Sequence, residues 1–207
     1  MIILGLTGSI AMGKSTTAGI FQSLGIPVHD SDAAVHAIYR SPDATLIEAA
    51  FPGTLIGGEI DRKTLGDYVL KDAEALKRLE KIIHPLVEAH RNQFLRQREI
   101  AGDPIVLLDI PLLYETHGEK KVDAVVVVSA SSQVQKQRAF ERQHMTDAKF
   151  AAILEKQLPD AEKRKKADFV IKTDRSLDDV RLQVKKLLKI LQANPAAWEN
   201  RRNVSHA

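Results

Sequence analysis

One stretch limits this chain more than any other: Gly8-Ser9-Ile10-Ala11-Met12-Gly13-Lys14-Ser15. Its spacing is G-x-x-x-x-G-K-[ST], the Walker A loop, which works only between a strand and a helix. Ahead of it, Ile2-Ile3-Leu4-Gly5-Leu6-Thr7 reads as a buried strand. Behind it, Thr16 to Leu24 spaces apolar residues helically, and Gly25 stops the pattern. Gly8 and Gly13 let the backbone turn tightly and come close to phosphate oxygens. The loop amides and the positive end of the next helix then face the same anion. Lys14 can reach the β- and γ-phosphates, and the Ser15 hydroxyl can ligate Mg²⁺. The competing reading is a glycine-containing turn that binds nothing.

The remaining composition excludes several classes. The chain has 207 residues, 44% of them hydrophobic, enough for one or two cored units. It has no cysteine, which rules out disulfides, thiolate catalysis and Cys-ligated zinc, and agrees with a cytoplasmic location. Its first residues lack a basic n-region and their apolar run breaks at Gly5 and Gly8, so no secretory signal is expected. No apolar run is long enough to span a membrane. A net charge of +3 is too mild to argue for nucleic acid.

Ile26 to His29 reads as a second strand, followed by Asp30-Ser31-Asp32. In an open parallel sheet such residues share the ligand-binding rim with the phosphate loop. One aspartate suffices to cap the helix over Ala33–Tyr39. The second exceeds that need, so Asp32 becomes the candidate catalytic group with Asp30 in support. Residues 43–51 form a short helix, and Gly53, Gly57 and Gly58 mark a loop. A helical block follows from Arg62 to Arg98, interrupted at His84-Pro85. It reads as an insertion; from spacing alone His84 suits a helix-breaking surface residue.

Ile105 to Pro111 is a near-continuous apolar run typical of a central parallel strand. Asp109 near its end is a Walker-B-like acid that can hold Mg²⁺ through water, or a strand-end acid capping a turn. Ala124 to Val128 is a fourth strand, and Ser131 caps a helix with Arg138 and Arg142 four apart on one face. Their planar guanidinium forks suit phosphate oxygens. A helix over Asp147–Gln157 leads to the basic tract Lys163-Arg164-Lys165-Lys166, read either as an anion-clamping lid or as a solvated face. Asp168 to Ile171 is the last strand, and Leu177 to Leu191 an amphipathic helix. The tail beyond is polar and frayed apart from Trp198, which is placed to dock.

Strands alternating with helices predict an α/β fold with a parallel five-stranded sheet covered by helices on both faces. The expected division is a nucleotide-binding core (1–32, 102–136, 167–193), a helical insertion (33–101), a lid (137–166) and a tail (194–207).

Over about residues 1–190 the chain resembles the dephospho-CoA kinases, P-loop enzymes of the nucleoside-monophosphate-kinase type. The likeness rests on Leu6 to Ser15, Asp30-Ser31-Asp32, Asp61-Arg62, Leu79-Glu80, Ile82-Ile83-His84-Pro85-Leu86 and Asp109-Ile110-Pro111-Leu112-Leu113-Tyr114-Glu115. Arg138, Arg142, Gln157 and Ala167 to Ile171 complete it. It implies ATP-dependent phosphorylation of the ribose 3′-hydroxyl of dephospho-CoA, with ATP and Mg²⁺ required. It implies ATP binding by Gly8, Ser9, Ile10, Ala11, Met12, Gly13, Lys14, Ser15 and Thr16, with Arg138 and Arg142. Asp32 becomes the catalytic base, supported by Lys14 and Arg142. Substrate contacts fall to Asp32, Arg62, His84 and Leu112, and metal contacts to Ser15 and, through water, Asp109. The expected enzyme is a monomer or weak homo-oligomer with no nucleic-acid or membrane partner.

Three positions depart from the family pattern. Ala11-Met12 stands where Gly-Ser is usual, which costs Ala11 backbone freedom if its φ is positive. Thr173 stands where Asn is frequent, and Ala152 where a basic residue is frequent. Rival readings are another small-molecule or nucleotide kinase, a GTPase-type switch, and a nucleic-acid module. The switch lacks its Asn in Ile171-Lys172-Thr173-Asp174, and the Lys163–Lys166 tract lacks interleaved aromatics.

Overall fold

The computed structural model describes residues 1–70, 72–199 and 201. They form two compact units, Met1–His29 with Arg98–Ala207, and Asp30–Gln97. The expected tail reaches past these residues, and its end at 202–207 lies outside them.

The first unit opens with β1 (Ile2–Thr7) and α1 (Lys14–Ser23), then enters β2 (Val28–Asp30). The second holds α2 (Ser31–Ile38), α3 (Ala44–Ala50), β3 (Leu55–Ile56), β4 (Glu59–Ile60), α4 (Arg62–Val69) and most of α5 (Ala73–Ile100). The chain then returns through β5 (Ile105–Asp109), β6 (Ala124–Ser129), α6 (Ser132–Phe140), α7 (Asp147–Glu155), α8 (Asp160–Lys166), β7 (Phe169–Lys172) and α9 (Leu177–Ala193).

The large sheet is parallel, in the order β2-β5-β1-β6-β7. Every residue of β1, β5 and β6 is buried, as continuous apolar strands covered on both faces require. Register sets Leu6 beside both Asp109 and Val126, so the phosphate loop leaves the central strand next to the Asp109 carboxylate. On this core Ile20 and Phe21 of α1 pack with Val184, Leu187 and Leu191 of α9. Trp198 docks as expected, its ring 5.1 Å from that of Phe169.

The second unit has its own core around Ile38, Ile47, Phe51, Ile60, Leu65, Leu79 and Ile83. Here the structure corrects two expectations. Gly57-Gly58 is the two-residue turn of a β3–β4 hairpin, with φ of 60° and 87°, as such turns demand. And α5 runs through Pro85 without ending at His84. Proline inside a helix costs about 3 kcal/mol. The residues either side of it, Ile82, Ile83, Leu86 and Val87, are packed on the core and hold the helix together.

A third correction concerns the arginine pair. Helix α6 ends at Phe140, and the following turn carries His144 at φ 61°. Arg138 is therefore helical, while Arg142 lies in the turn, so the two do not share a helix face.

Candidate functional site

The phosphate loop is built from close backbone approach. A Cβ on Gly8 would lie 2.3 Å from Val128 Cγ2 and 2.9 Å from the Val128 carbonyl oxygen, so only glycine fits against β6. Gly13 takes φ 85° and turns the chain into α1. Ala11 does have positive φ, at 60°. An L-residue there costs roughly 1–2 kcal/mol, so the surroundings must hold it.

Several contacts do. The Ile10 N–H donates to Gln157 Oε1 at 3.0 Å, and the Ile10 carbonyl accepts from Gln135 Nε2 at 2.9 Å. Met12 Sδ accepts from the Ala130 N–H, and the Met12 carbonyl accepts from Thr173 Oγ1 at 2.8 Å. Each such bond is worth about 0.5–1.5 kcal/mol net, so together they outweigh the strain at Ala11.

Thr173 is thus a buried brace for the loop. Its hydroxyl also accepts from Arg138 Nη1 at 3.2 Å, and its carbonyl accepts from Arg138 Nη2 at 2.7 Å. The guanidinium of Arg138 is therefore fixed beside the loop, while Arg142 is exposed and, among the described residues, takes no part in that network.

Lys14 donates to Asp109 Oδ1 at 2.6 Å. Asp109 is only 2% exposed, so the pair lies in a poorly solvated place. Thr7 Oγ1 donates to the Pro111 carbonyl, tying the end of β1 to the segment that leads to exposed Leu112. The Ser15 hydroxyl is exposed at the start of α1, with Thr16 beside it. Among the described residues no three acidic or histidine side chains converge to hold a metal. A hydroxyl with one carboxylate is the sparse oxygen set that suits Mg²⁺, which keeps waters and substrate phosphates as its other ligands.

Of the basic tract only Lys163 is turned inward, and Arg164, Lys165 and Lys166 are exposed. Lys163 is fully buried with its Nζ 2.8 Å from Glu115 Oε1. Arg164 pairs with Asp160, Lys165 with Glu162, and Lys166 lies 5.8 Å from the centre of the Tyr114 ring. Gln135 and the Lys163–Glu115 pair were not singled out from the sequence alone. Gln135 gives no signal in a helix of polar residues, and a buried lysine in a basic tract looks like its exposed neighbours.

In the second unit Asp30 caps α2, its Oδ1 accepting from the Asp32 and Ala33 N–H groups at 2.8 and 3.0 Å. Asp32 is left exposed in the first turn, and among the described residues its carboxylate accepts no hydrogen bond and meets no cation. Arg62 opens α4 and lines a cavity of about 310 Å³ with Ile56, Glu59, Ile60, Asp61 and Lys63. Burial pushes the Tyr39 hydroxyl pKa up, and the Arg62 charge opposes that shift. His84 is exposed on α5.

The family model for dephospho-CoA kinase matches residues 2–179. A dephospho-CoA kinase of Rhodopseudomonas palustris is 54% identical over 195 residues, covering 94% of this chain and 98% of that protein. Among solved structures, a Thermus thermophilus protein is 35% identical with a TM-score of 0.78, covering 92% of this chain and 97% of its own. The dephospho-CoA kinase of Campylobacter jejuni is 30% identical with a TM-score of 0.70, covering 93% and 98%. With its strand order, phosphate loop and matched length, this chain belongs to the dephospho-CoA kinase family.

Proposed function

We propose that this chain transfers the γ-phosphoryl group of ATP to the ribose 3′-hydroxyl of dephospho-CoA, giving coenzyme A and ADP. The observation that carries the reading is the braced phosphate loop, with the Lys14 ammonium held at the end of β5, in a chain of this family. A bond forms between the 3′-oxygen and phosphorus, the bond from phosphorus to the β,γ-bridging oxygen breaks, and the hydroxyl proton passes to Asp32. Asp32 suits that role because its carboxylate is exposed and uncommitted, while Asp30 does the capping.

Lys14 offsets charge on the transferring group, and Arg142 joins it from its turn. Arg138, already oriented by Thr173, contributes to ATP binding. Ser15, with Asp109 through water, would hold Mg²⁺, which neutralises charge on the β- and γ-oxygens when bound. Arg62, His84 and Leu112 contact the acceptor. Residues 33–101 serve as the acceptor-binding insertion and 137–166 as a lid that excludes water. Positioning and electrostatics supply most of the acceleration in such reactions.

The GTPase-type reading loses ground on a specific contact: Asp174, the acid a guanine reader needs free, accepts from the Ser131 N–H at 3.1 Å. The test is to mix the protein with Mg-ATP and dephospho-CoA and to look for the 3′-phosphorylated product by mass. A preference for shikimate, gluconate or a nucleoside monophosphate over dephospho-CoA would overturn the reading.

A further inference from the structure

Two glutamines hold the two peptide groups that flank the Ile10 Cα in the phosphate loop. Gln135 of α6, only 7% exposed, donates to the Ile10 carbonyl, and Gln157 accepts from the Ile10 N–H. Gln157 sits in the corner between α7 and α8, and that corner is itself anchored. The neighbouring Leu158 N–H donates to Glu115 Oε1 at 2.8 Å, and the same oxygen pairs with fully buried Lys163. A buried ammonium is costly to keep unless its partner is well placed. Here the pair ties α8, the corner and the segment after β5 into one support behind Gln157. The residue that follows Ile10 is Ala11, in the left-handed conformation.

We infer that Gln135 and Gln157 are positioning residues for nucleotide binding: they fix the peptide groups on both sides of Ile10 so that Ala11 stays left-handed and the loop amides beyond it converge on the phosphates. The reason is preorganisation. A loop held in its binding shape before ATP arrives loses less entropy when ATP binds. With either peptide group freed, the backbone at Ile10 can rotate and Ala11 can relax to negative φ, dispersing the amides. The Glu115–Lys163 pair acts one step further back by setting where Gln157 stands. This inference rests on the ATP-binding part of the proposed function.

The test reads ATP affinity by calorimetry with no acceptor present, in the full chain, with melting temperature measured alongside. Gln157→Leu and Gln135→Met should each weaken ATP binding about threefold to tenfold, the range for one net hydrogen bond. Because both act on the backbone of one residue, the double variant should be within about twofold of the weaker single variant, not the product of the two. Adding Ala11→Gly to Gln157→Leu should restore at least half of the lost affinity on a logarithmic scale, since glycine takes positive φ without strain. A merely structural role would not give that rescue. ATP affinity within twofold of the parent in both single variants overturns the inference. So does a loss that follows melting temperature and that Ala11→Gly leaves untouched. If Gln157→Leu does not fold, Gln135→Met with and without Ala11→Gly decides by the same two criteria. A parent that binds ATP yet phosphorylates no dephospho-CoA overturns the reaction and leaves the clamp to be judged on its own affinities.

Discussion

The two units keep their candidate groups in opposite conditions. In the unit that carries the Walker loop most of them are engaged: Lys14 with Asp109, Arg138 with Thr173, and Ile10 with two glutamines. In the helical unit Asp32, Arg62 and His84 are exposed, and among the described residues none of them makes a hydrogen bond or ion pair through its side chain. Burial explains the contrast. Polar groups shielded from water must find partners within the protein, whereas exposed ones are satisfied by solvent. A phosphate loop has to be rigid before its ligand comes, so its contacts are visible in the ligand-free chain. Groups that act on an acceptor need only be available. Arg142 is an exception in the first unit, as are Ser15, Thr16 and Leu112, all exposed like the groups of the second.

The sharpest way to break this contrast is Asp32→Asn. Loss of a general base should cut transfer by about 10²–10⁴-fold. ATP binding should stay near that of the parent, because nothing in the loop leans on Asp32. Full turnover by the variant, followed as product mass, would remove Asp32 from the mechanism.

Next comes Gly8→Ala. The added methyl meets β6 backbone at 2.9 Å and the Val128 side chain closer still, so the strand or the loop must shift. Overpacking of this kind costs about 1–3 kcal/mol, read as a fall in melting temperature together with weaker ATP binding.

Replacing the two arginines separates an engaged group from a free one. Arg138→Ala should lower stability by about 1–3 kcal/mol for the acceptors it leaves, read as a fall in melting temperature, and weaken ATP binding. Arg142→Ala should leave stability within about 0.5 kcal/mol, as exposed sites do, and depress kcat. Equal melting temperatures for the two variants would erase the distinction.

The smallest effect is a pH effect inside the helical unit. Glu48 accepts from the Gly53 and Leu55 N–H groups at 2.7 and 2.6 Å, and these bonds hold its pKa below the usual carboxylate value. A depressed folded pKa means that its contribution is complete above the unfolded value. It fades as pH falls through the folded value. Protection of the Leu55 amide, taken as its exchange rate relative to the unstructured rate at the same pH, should therefore fall in acid below that range, and Glu48→Gln should remove the step.

Legibility followed the same division. The Walker spacing, the buried strands and the Asp30 cap could be read locally, because each is a pattern within a few residues. The role proposed for Ala11 depended on a φ angle that no composition reveals; only its departure from the usual glycine pointed there. The expected break at Pro85 failed because local propensity was overruled by packing on both sides of it. The shared face of Arg138 and Arg142 failed because α6 stops at Phe140, a boundary set by a turn and not by periodicity. Gln135 left no local trace, since a glutamine that reaches the loop reads like any other polar residue in its helix.

What the amino-acid order determined unaided is the phosphate loop and the parallel sheet around it, since both follow from spacing and from runs of apolar residues that need no distant partner to be recognised. The tertiary structure decided which polar side chains are committed and which stay available. Lys163 turned inward to Glu115, Thr173 became a brace under Met12, and two glutamines met at Ile10 across 125 and 147 residues of chain. Such pairings form only when folding brings remote segments within hydrogen-bond reach and removes the water that would otherwise satisfy them.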